Sequence, residues 1–357
     1  MIDRVPVRDD LVGVEPYGAP QLDVPVRLNT NETAEPPPPE FEDAVRARLG
    51  GLGLHRYPDR CVRELRTRLA DLERLDASRV WVANGSNEVL LQLFLAYGGP
   101  GRRLLLFRPG YSAHPLIARV AVTDVVEEDL PDDFRLDADL AGAAVRRHRP
   151  DLVTVAHPNN PTGLPVSLDA VRALHDAGDA LVIVDEAYVE FGAASARELL
   201  DGLPRMVVTR TFSKAYRLAG LRLGYLLAHD WVVNDLRRVR LPYHLDTVKQ
   251  VAALAALDLG PAMLTHIPRV TAERARVAAA LEALPDVTVF RSSANFLLFR
   301  SDVADLFQRL LDRGVLVRDF STRPRLEGCL RVSVGTVQEN DRFLEALRAA
   351  LGADAGG

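Results

Sequence analysis

From about residue 60 the chain alternates two hydrophobic patterns. Segments 62–75, 86–97 and 168–177 set apolar residues three and four apart, the spacing of a helix with one buried stripe. Between and after them lie short runs that are apolar at most positions: 79–83, 103–107, 152–156, 180–184, 206–209 and 223–228. A strand buried on one face alternates, whereas a strand buried on both faces reads as a continuous run. Buried strands of about four to six residues separated by helices predict an α/β domain with a mostly parallel sheet. After residue 260 the rhythm changes. A helix over 269–284 precedes strands at 287–290 and 296–299. A helix at 303–313, strands at 315–318 and 330–334 and a closing helix at 339–351 follow. This part predicts a second, smaller α+β domain.

Residues 1–40 are rich in proline, ending in the run 36–39, and show little periodicity. They read as a frayed tail or as an arm that lies over a site or a partner subunit, and L-N-T-N-E at 28–32 favours the arm. The expected division is an arm and start of the small domain at 1–45, a large domain at 46–262 and a C-terminal small domain at 263–357. No internal repeat is visible, and 352–357 reads as a disordered end.

Composition narrows the function. A chain of 357 residues suits one large core with a smaller companion. The net charge of −5 argues against a nucleic-acid partner, whose footprint would be basic. The start, M-I-D-R-V-P-V-R-D-D, lacks the apolar core of a signal peptide, and the apolar runs are too short to span a bilayer. Two cysteines far apart, Cys61 and Cys329, fit a reducing cytoplasm without a disulfide framework. No membrane partner and no metal are expected. Of the 44 lysines and arginines only Lys214 and Lys249 are lysine. Lys249 lies in no motif and reads as a surface residue.

In parallel α/β sheets, ligands bind beyond the carboxyl ends of the strands. Polar clusters follow four of the predicted strands: N-G-S-N-E at 84–88, H-P-N-N-P-T-G at 157–163, D-E-A-Y at 185–188 and R-T-F-S-K at 210–214. Each alone is unremarkable; N-N-P-T-G by itself is a turn. Their joint order at one sheet edge points to a site.

That order resembles the fold-type I aminotransferases that use pyridoxal 5'-phosphate (PLP). Within them the chain is most similar to the histidinol-phosphate aminotransferase family in its actinobacterial form. The resemblance spans nearly the whole chain. R-Y-P-D at 56–59, P-G-Y-S-A-H-P at 109–115 and V-D-E-A-Y-V-E-F at 184–191 carry it, with R-L-P-Y-H-L at 240–245 and G-C-L-R-V-S-V-G-T at 328–336. It implies a large domain with a mostly parallel seven-stranded sheet flanked by helices, plus a smaller α+β domain.

The resemblance also assigns roles. Lys214 is the Schiff-base lysine and the acid/base that moves the substrate Cα proton. An arginine could not serve, because its guanidinium stays protonated whereas a buried amine can be driven neutral. Asp185 holds the pyridine nitrogen protonated, and Tyr188 and Asn160 bond the ring hydroxyl oxygen. Gly85, Ser86 and Asn87 open a helix whose amides suit a phosphate, with Thr211, Ser213 and Arg222 beside them. Tyr111 stacks on the ring. Tyr57 reaches the phosphate of the neighbouring subunit, and Tyr243 also reaches across, so a homodimer is implied. On the substrate side stand Tyr17, Asn31, Tyr243, Arg318 and Arg331.

Five residues depart from the family pattern: Glu35, Ala113, His157, Tyr216 and Arg217. They predict an intact cofactor apparatus with an altered pocket lining and lid. The leading expectation is amino-group transfer between histidinol phosphate, or a similar amine, and 2-oxoglutarate. The alternative is a natural-product paralogue of lincosamide type. It would act on a bulkier, cysteine-derived amino acid by β-elimination or decarboxylation-coupled oxidative deamination. A PLP-binding sensor would carry a fused DNA-binding domain, and residues 1–40 are too short and proline-rich for one.

Overall fold

The computed structural model describes residues 5–14, 16 and 18–352. Tyr17 and the terminal 353–357 lie outside the described residues. Seven strands form the central sheet, in the order Val80–Ala83, Gly224–Leu227, Met206–Thr211, Leu181–Asp185, Leu152–Ala156, Arg103–Arg108 and Asp124–Asp129. Gly224–Leu227 runs antiparallel to both neighbours, and every other pairing is parallel. This is the mostly parallel sheet that the apolar runs predict.

The inner strands are buried at every position because alternate side chains serve two cores. Val182 and Val184 face one core with Val153 and Val208, while Leu181 and Ile183 face the other with Leu152 and Val207. Helices Ala138–His148 and Leu168–Asp176 close the first core with Val145, Val171 and Leu174. Helices Ser86–Tyr97 and Asp230–Val239 close the second with Val89, Leu93, Val233 and Leu236.

The sequence pattern does not reveal Asp124–Asp129. It reads D-V-V-E-E-D and none of its residues is buried. Its carboxylates guard the sheet edge against pairing with another strand.

The second unit is a four-stranded antiparallel sheet in the order Arg318–Asp319, Cys329–Ser333, Phe296–Ser301 and Val287–Val289. Helices Ile267–Glu282 and Val337–Leu351 pack Leu281, Phe343 and Leu347 against Leu297, Phe299 and Leu330. Thr336 and Glu339 form a reciprocal cap at the start of the last helix. The expected strand at 315–318 is two strands. Val315–Leu316 pairs parallel with Val26–Arg27, and Arg318–Asp319 pairs antiparallel with Cys329–Ser333. The expected helix at 303–313 is confined to Leu306–Leu311, because Asp305 before it is left-handed, with φ of 56°. Val26 and Leu28 belong to the core of this four-stranded unit, whereas Phe41 belongs to the first core of the large sheet. The chain between them crosses the sheet edge where the polar clusters gather. Among the described residues no single helix is long and apolar enough to cross a membrane.

Candidate active site

The carboxyl ends of Leu152–Ala156, Leu181–Asp185 and Met206–Thr211 open on a cavity of about 410 Å³. Among the expected residues, Asn31, Ser86, Asn87, Tyr111, Asn160 and Asp185 line it. Tyr188, Thr211, Ser213, Lys214, Arg222, Arg318 and Arg331 complete that group. Gly85 sits at the N-cap of the Ser86–Tyr97 helix with φ of 90°, and no side chain caps the helix there. Its first amides are therefore open to an anion, and the helix dipole favours one. Arg222 leans on this turn: a Cβ on Gly85 would lie 3.0 Å from Arg222 Nη2. A Cβ on Gly224 would lie 2.3 Å from the Ser86 nitrogen, so only glycine lets that strand run so close beneath the turn. Arg222 Nη1 donates to Ser213 Oγ at 3.2 Å, and Thr211 Oγ1 donates to the same oxygen at 3.0 Å.

Lys214 stands opposite this cradle. Burial, then the positive charge of Arg331, push its amine down to about 7, with Glu32 opposing and Arg222 adding to the push. Its Nζ donates to the carbonyl of Thr30 at 2.9 Å and lies 5.8 Å from the centre of the Tyr188 ring. The Tyr188 hydroxyl accepts from Asn31 Nδ2 at 3.0 Å and from Asn160 Nδ2 at 3.4 Å. Asp185 is 3% exposed. Thr209 Oγ1 donates to one of its oxygens at 3.0 Å, and His114 Nε2 lies 3.2 Å from the other.

Thr209 and His114 are site residues to which the sequence reading gave no role. The available signal for His114 is its place in the P-G-Y-S-A-H-P run, three residues after Tyr111, whose carbonyl accepts from its amide; the two rings meet edge to face at 5.1 Å. Thr30 and Thr33 were also not legible as site residues. Thr33 Oγ1 donates to the Lys214 carbonyl at 2.7 Å.

Arg331 is 6% exposed and its fork is engaged: Nη1 donates to Asn160 Oδ1 at 2.6 Å and Nη2 to the Asn29 carbonyl at 2.8 Å. Arg318 stands farther out, donating to the Gly18 carbonyl at 3.2 Å. It also lines a second cavity of about 530 Å³ beyond Tyr111, where Phe134, Leu136 and Leu164 present apolar walls and Arg323 joins the rim. Tyr57 and Tyr243 do not line the cofactor-sized cavity. They stack on each other at 4.3 Å on the surface, and Tyr57 is 79% exposed.

Lys249 is not a surface residue. Its side chain is 15% exposed, pairs with Asp246 at 3.2 Å and donates to Asn84 Oδ1. Asn84, the residue before Gly85, donates in turn to the His244 carbonyl at 2.8 Å, and His244 Nε2 donates to the Val82 carbonyl at 2.8 Å. The second lysine thus ties the turn at Gly85 to the segment that carries Tyr243.

None of the five departures lines the 410 Å³ cavity. Ala113 is buried at the start of the Ala113–Val120 helix. His157 is buried behind the N-N-P-T-G turn, where Nε2 donates to the Ala194 carbonyl and Nδ1 accepts from the Val166 amide. Tyr216 packs on Phe212 at 4.6 Å. Glu35 pairs with Arg269, and Arg217 donates to the Pro36 carbonyl. The expectation of an altered pocket lining is therefore corrected: the changes lie in the layer that supports the site.

Behind the lysine loop sits a buried charge cluster. Arg210 pairs with Glu186 at 3.0 Å, Glu73 at 3.5 Å and Glu190 at 3.7 Å. Tyr225 donates to Glu73 at 2.7 Å, and Glu186 accepts from Ser195 and the Ala196 amide. Burial pushes Glu190 up to about 7, against the opposing pull of Arg210.

Residues 24–347 match the family model for aminotransferases of class I and II. The histidinol-phosphate aminotransferase of Thermobifida fusca (strain YX) is 48% identical over 360 residues, covering 98% of this chain and 97% of that protein. That of Streptomyces avermitilis is 48% identical over 363 residues, 97% of each chain. A solved histidinol-phosphate aminotransferase from Sinorhizobium meliloti, in complex with pyridoxal-5'-phosphate, superposes with a TM-score of 0.83 at 26% identity, covering 93% of this chain and 92% of that one. The residues present here fit that cofactor: an amine that sheds its proton near neutrality, a buried carboxylate, and a glycine-cornered helix N-terminus with an arginine against it. The chain belongs to the class I and II aminotransferases and is a transferase that works with pyridoxal 5'-phosphate.

Proposed function

We propose that this enzyme moves the amino group of histidinol phosphate to 2-oxoglutarate, yielding glutamate. The observation that carries it is the Lys214 amine, lowered to about 7, in one cavity with Asp185, Tyr188 and the Arg222 cradle. The two curated relatives described above support the substrate; elimination and oxidative deamination find no support among them.

Bound PLP supplies the electron sink that lets a substrate Cα–H bond break. Lys214 Nζ carries the proton from and back to the substrate, since its lowered pKa suits both tasks near neutral pH. Asp185, fixed by Thr209 and His114, offers the negative charge for the ring nitrogen. Tyr188 and Asn160, bonded to each other at 3.4 Å, would hold the ring hydroxyl, and Tyr111, on the cavity wall, would cover its face. Gly85, Ser86, Asn87, Thr211, Ser213 and Arg222 bind the cofactor phosphate. Asn31, Arg331 and Arg318 hold the substrate, with the arginines suited to its phosphate.

Tyr57 and Tyr243, exposed and away from their own cavity, support a homodimer in which each serves the neighbouring site. Cys61 and Cys329 are free, which supports a cytoplasmic setting.

The test combines spectroscopy with assay. The purified protein should show visible absorbance from PLP held through Lys214 and should turn over histidinol phosphate with 2-oxoglutarate. Lys214→Ala should lose both. A Lys214→Ala protein that keeps full turnover, or a wild type inert toward histidinol phosphate, overturns the reading.

A further inference from the structure

Residues 29–36 form a strap across the site, and two sets of contacts hold it. The inner set belongs to the site itself. Arg331 holds the Asn29 carbonyl and Lys214 Nζ the Thr30 carbonyl. The Asn31 amide donates to Ser333 Oγ at 2.8 Å, and its side chain donates to Tyr188. Asn31 holds this position with φ of 55°, an uncommon conformation for a residue with a side chain.

The outer set rests on two residues that depart from the family pattern. Arg217 Nη1 donates to the Pro36 carbonyl at 2.9 Å, and Glu35 pairs with Arg269. Arg217 is itself braced: its Nε donates to Nδ1 of His266, which is 2% exposed. Its amide donates to the Lys214 carbonyl at 3.0 Å, the same oxygen that accepts from Thr33 Oγ1. One short turn therefore carries the reactive amine at one end and the strap's outer anchor at the other.

The inner tie from Lys214 to Thr30 depends on the state of the amine. Whenever Lys214 is neutral or engaged elsewhere, that tie weakens, and the strap's register rests on the remaining contacts. We infer that Arg217 is a positioning residue for the reaction: it holds Pro36 and so keeps Asn31 in register over Tyr188 while Lys214 works. Glu35 adds a smaller contribution, because its partner Arg269 is 55% exposed and surface pairs are weak. The inference rests on the aminotransferase reading for its kinetics but not for its structural readout.

The experiment uses Arg217→Ala, Arg217→Lys and Glu35→Gln. In the holoenzyme, losing a charge-assisted bond should raise KM about tenfold, with kcat changed less, because fewer molecules hold the strap closed. Arg217→Lys should recover part of the loss, since an ammonium reaches one acceptor but does not reproduce the fork. Glu35→Gln should cost less than about threefold and lose its effect in high salt. In cofactor-free protein, Arg217→Ala should speed hydrogen exchange of amides 30–35 and leave those of Leu181–Asp185 unchanged. Faster strap exchange supports the inference even if histidinol phosphate proves to be the wrong substrate. Unchanged strap exchange overturns it, as does acceleration spread equally over the Leu181–Asp185 strand.

Discussion

Three carboxylates share the space around the single guanidinium of Arg210, and burial favours a proton on one of them. Glu190 is that group. Its ordinary value of 4.5 rises to about 7, so between these pH values the folded protein holds a proton that the unfolded chain releases. The stability this proton confers is complete below about pH 4.5 and is lost as pH rises through about 7. Glu190→Gln carries no charge at any pH and keeps a similar shape. It should melt higher than the wild type at about pH 8, by on the order of 2 kcal/mol, and match it at about pH 4.5. Melting curves across that range decide; parallel profiles would contradict the assignment. This cluster was not legible from the sequence. Glu73 stands over a hundred positions before its partner Tyr225, and no local pattern announces a pair made by the fold. Lys249 is the same case. Read alone it is one more cation, and its meaning comes from Asn84, 165 positions away. Lys214 was legible because its neighbours in sequence are also its neighbours in function.

At the scale of elements, the sharpest constraint is the meeting of Gly224 with the turn after Val80–Ala83. Ala83 and Gly224 are paired across the sheet, and the turn folds back directly over that pair. Gly224→Ala places a methyl group against backbone atoms that cannot swing away, 2.3 Å and 2.5 Å distant. The turn must shift, at a cost of about 1–3 kcal/mol. The open amides at the start of Ser86–Tyr97, proposed to bind the cofactor phosphate, shift with it. PLP affinity measured by visible titration should fall about tenfold, because at least one amide bond to an anion is misplaced. Wild-type affinity in this variant would count against the cradle. Elements with two buried faces, such as Leu181–Asp185, were legible because burial on both faces leaves an apolar run that ends only where Asp185 meets the site. Asp124–Asp129 was not, because an edge strand needs little apolar surface. The Thr247–Leu259 helix also escapes, for the opposite reason. It is buried at every position from Val251 to Ala256, which leaves no polar face to mark a helical period.

At the scale of the whole molecule, the passage from the seven-stranded sheet to the four-stranded one was legible as the change of rhythm after residue 260. How a second copy would meet the first in the proposed homodimer was not, beyond what the family resemblance implied for Tyr57 and Tyr243. The tie through Lys249 has a consequence for that assembly. Asn84 borders the Gly85 turn, proposed to hold the cofactor phosphate, at one end and, through the His244 carbonyl, the exposed segment of Tyr243 at the other. Under the proposed homodimer, whatever orders one end biases the other, and such coupling is reciprocal in free energy. Cofactor loading and subunit association therefore act as linked equilibria. PLP should tighten the dimer by about fivefold or more, and dimerisation should tighten PLP by the same factor. Sedimentation of the wild type and of Lys249→Gln, each with and without PLP, measures that factor. Equal dissociation constants in the wild type with and without PLP would exclude the linkage; a factor that shrinks toward one in Lys249→Gln would assign it to this lysine. The second lysine would then be the residue through which the enzyme's concentration sets how firmly it keeps its cofactor.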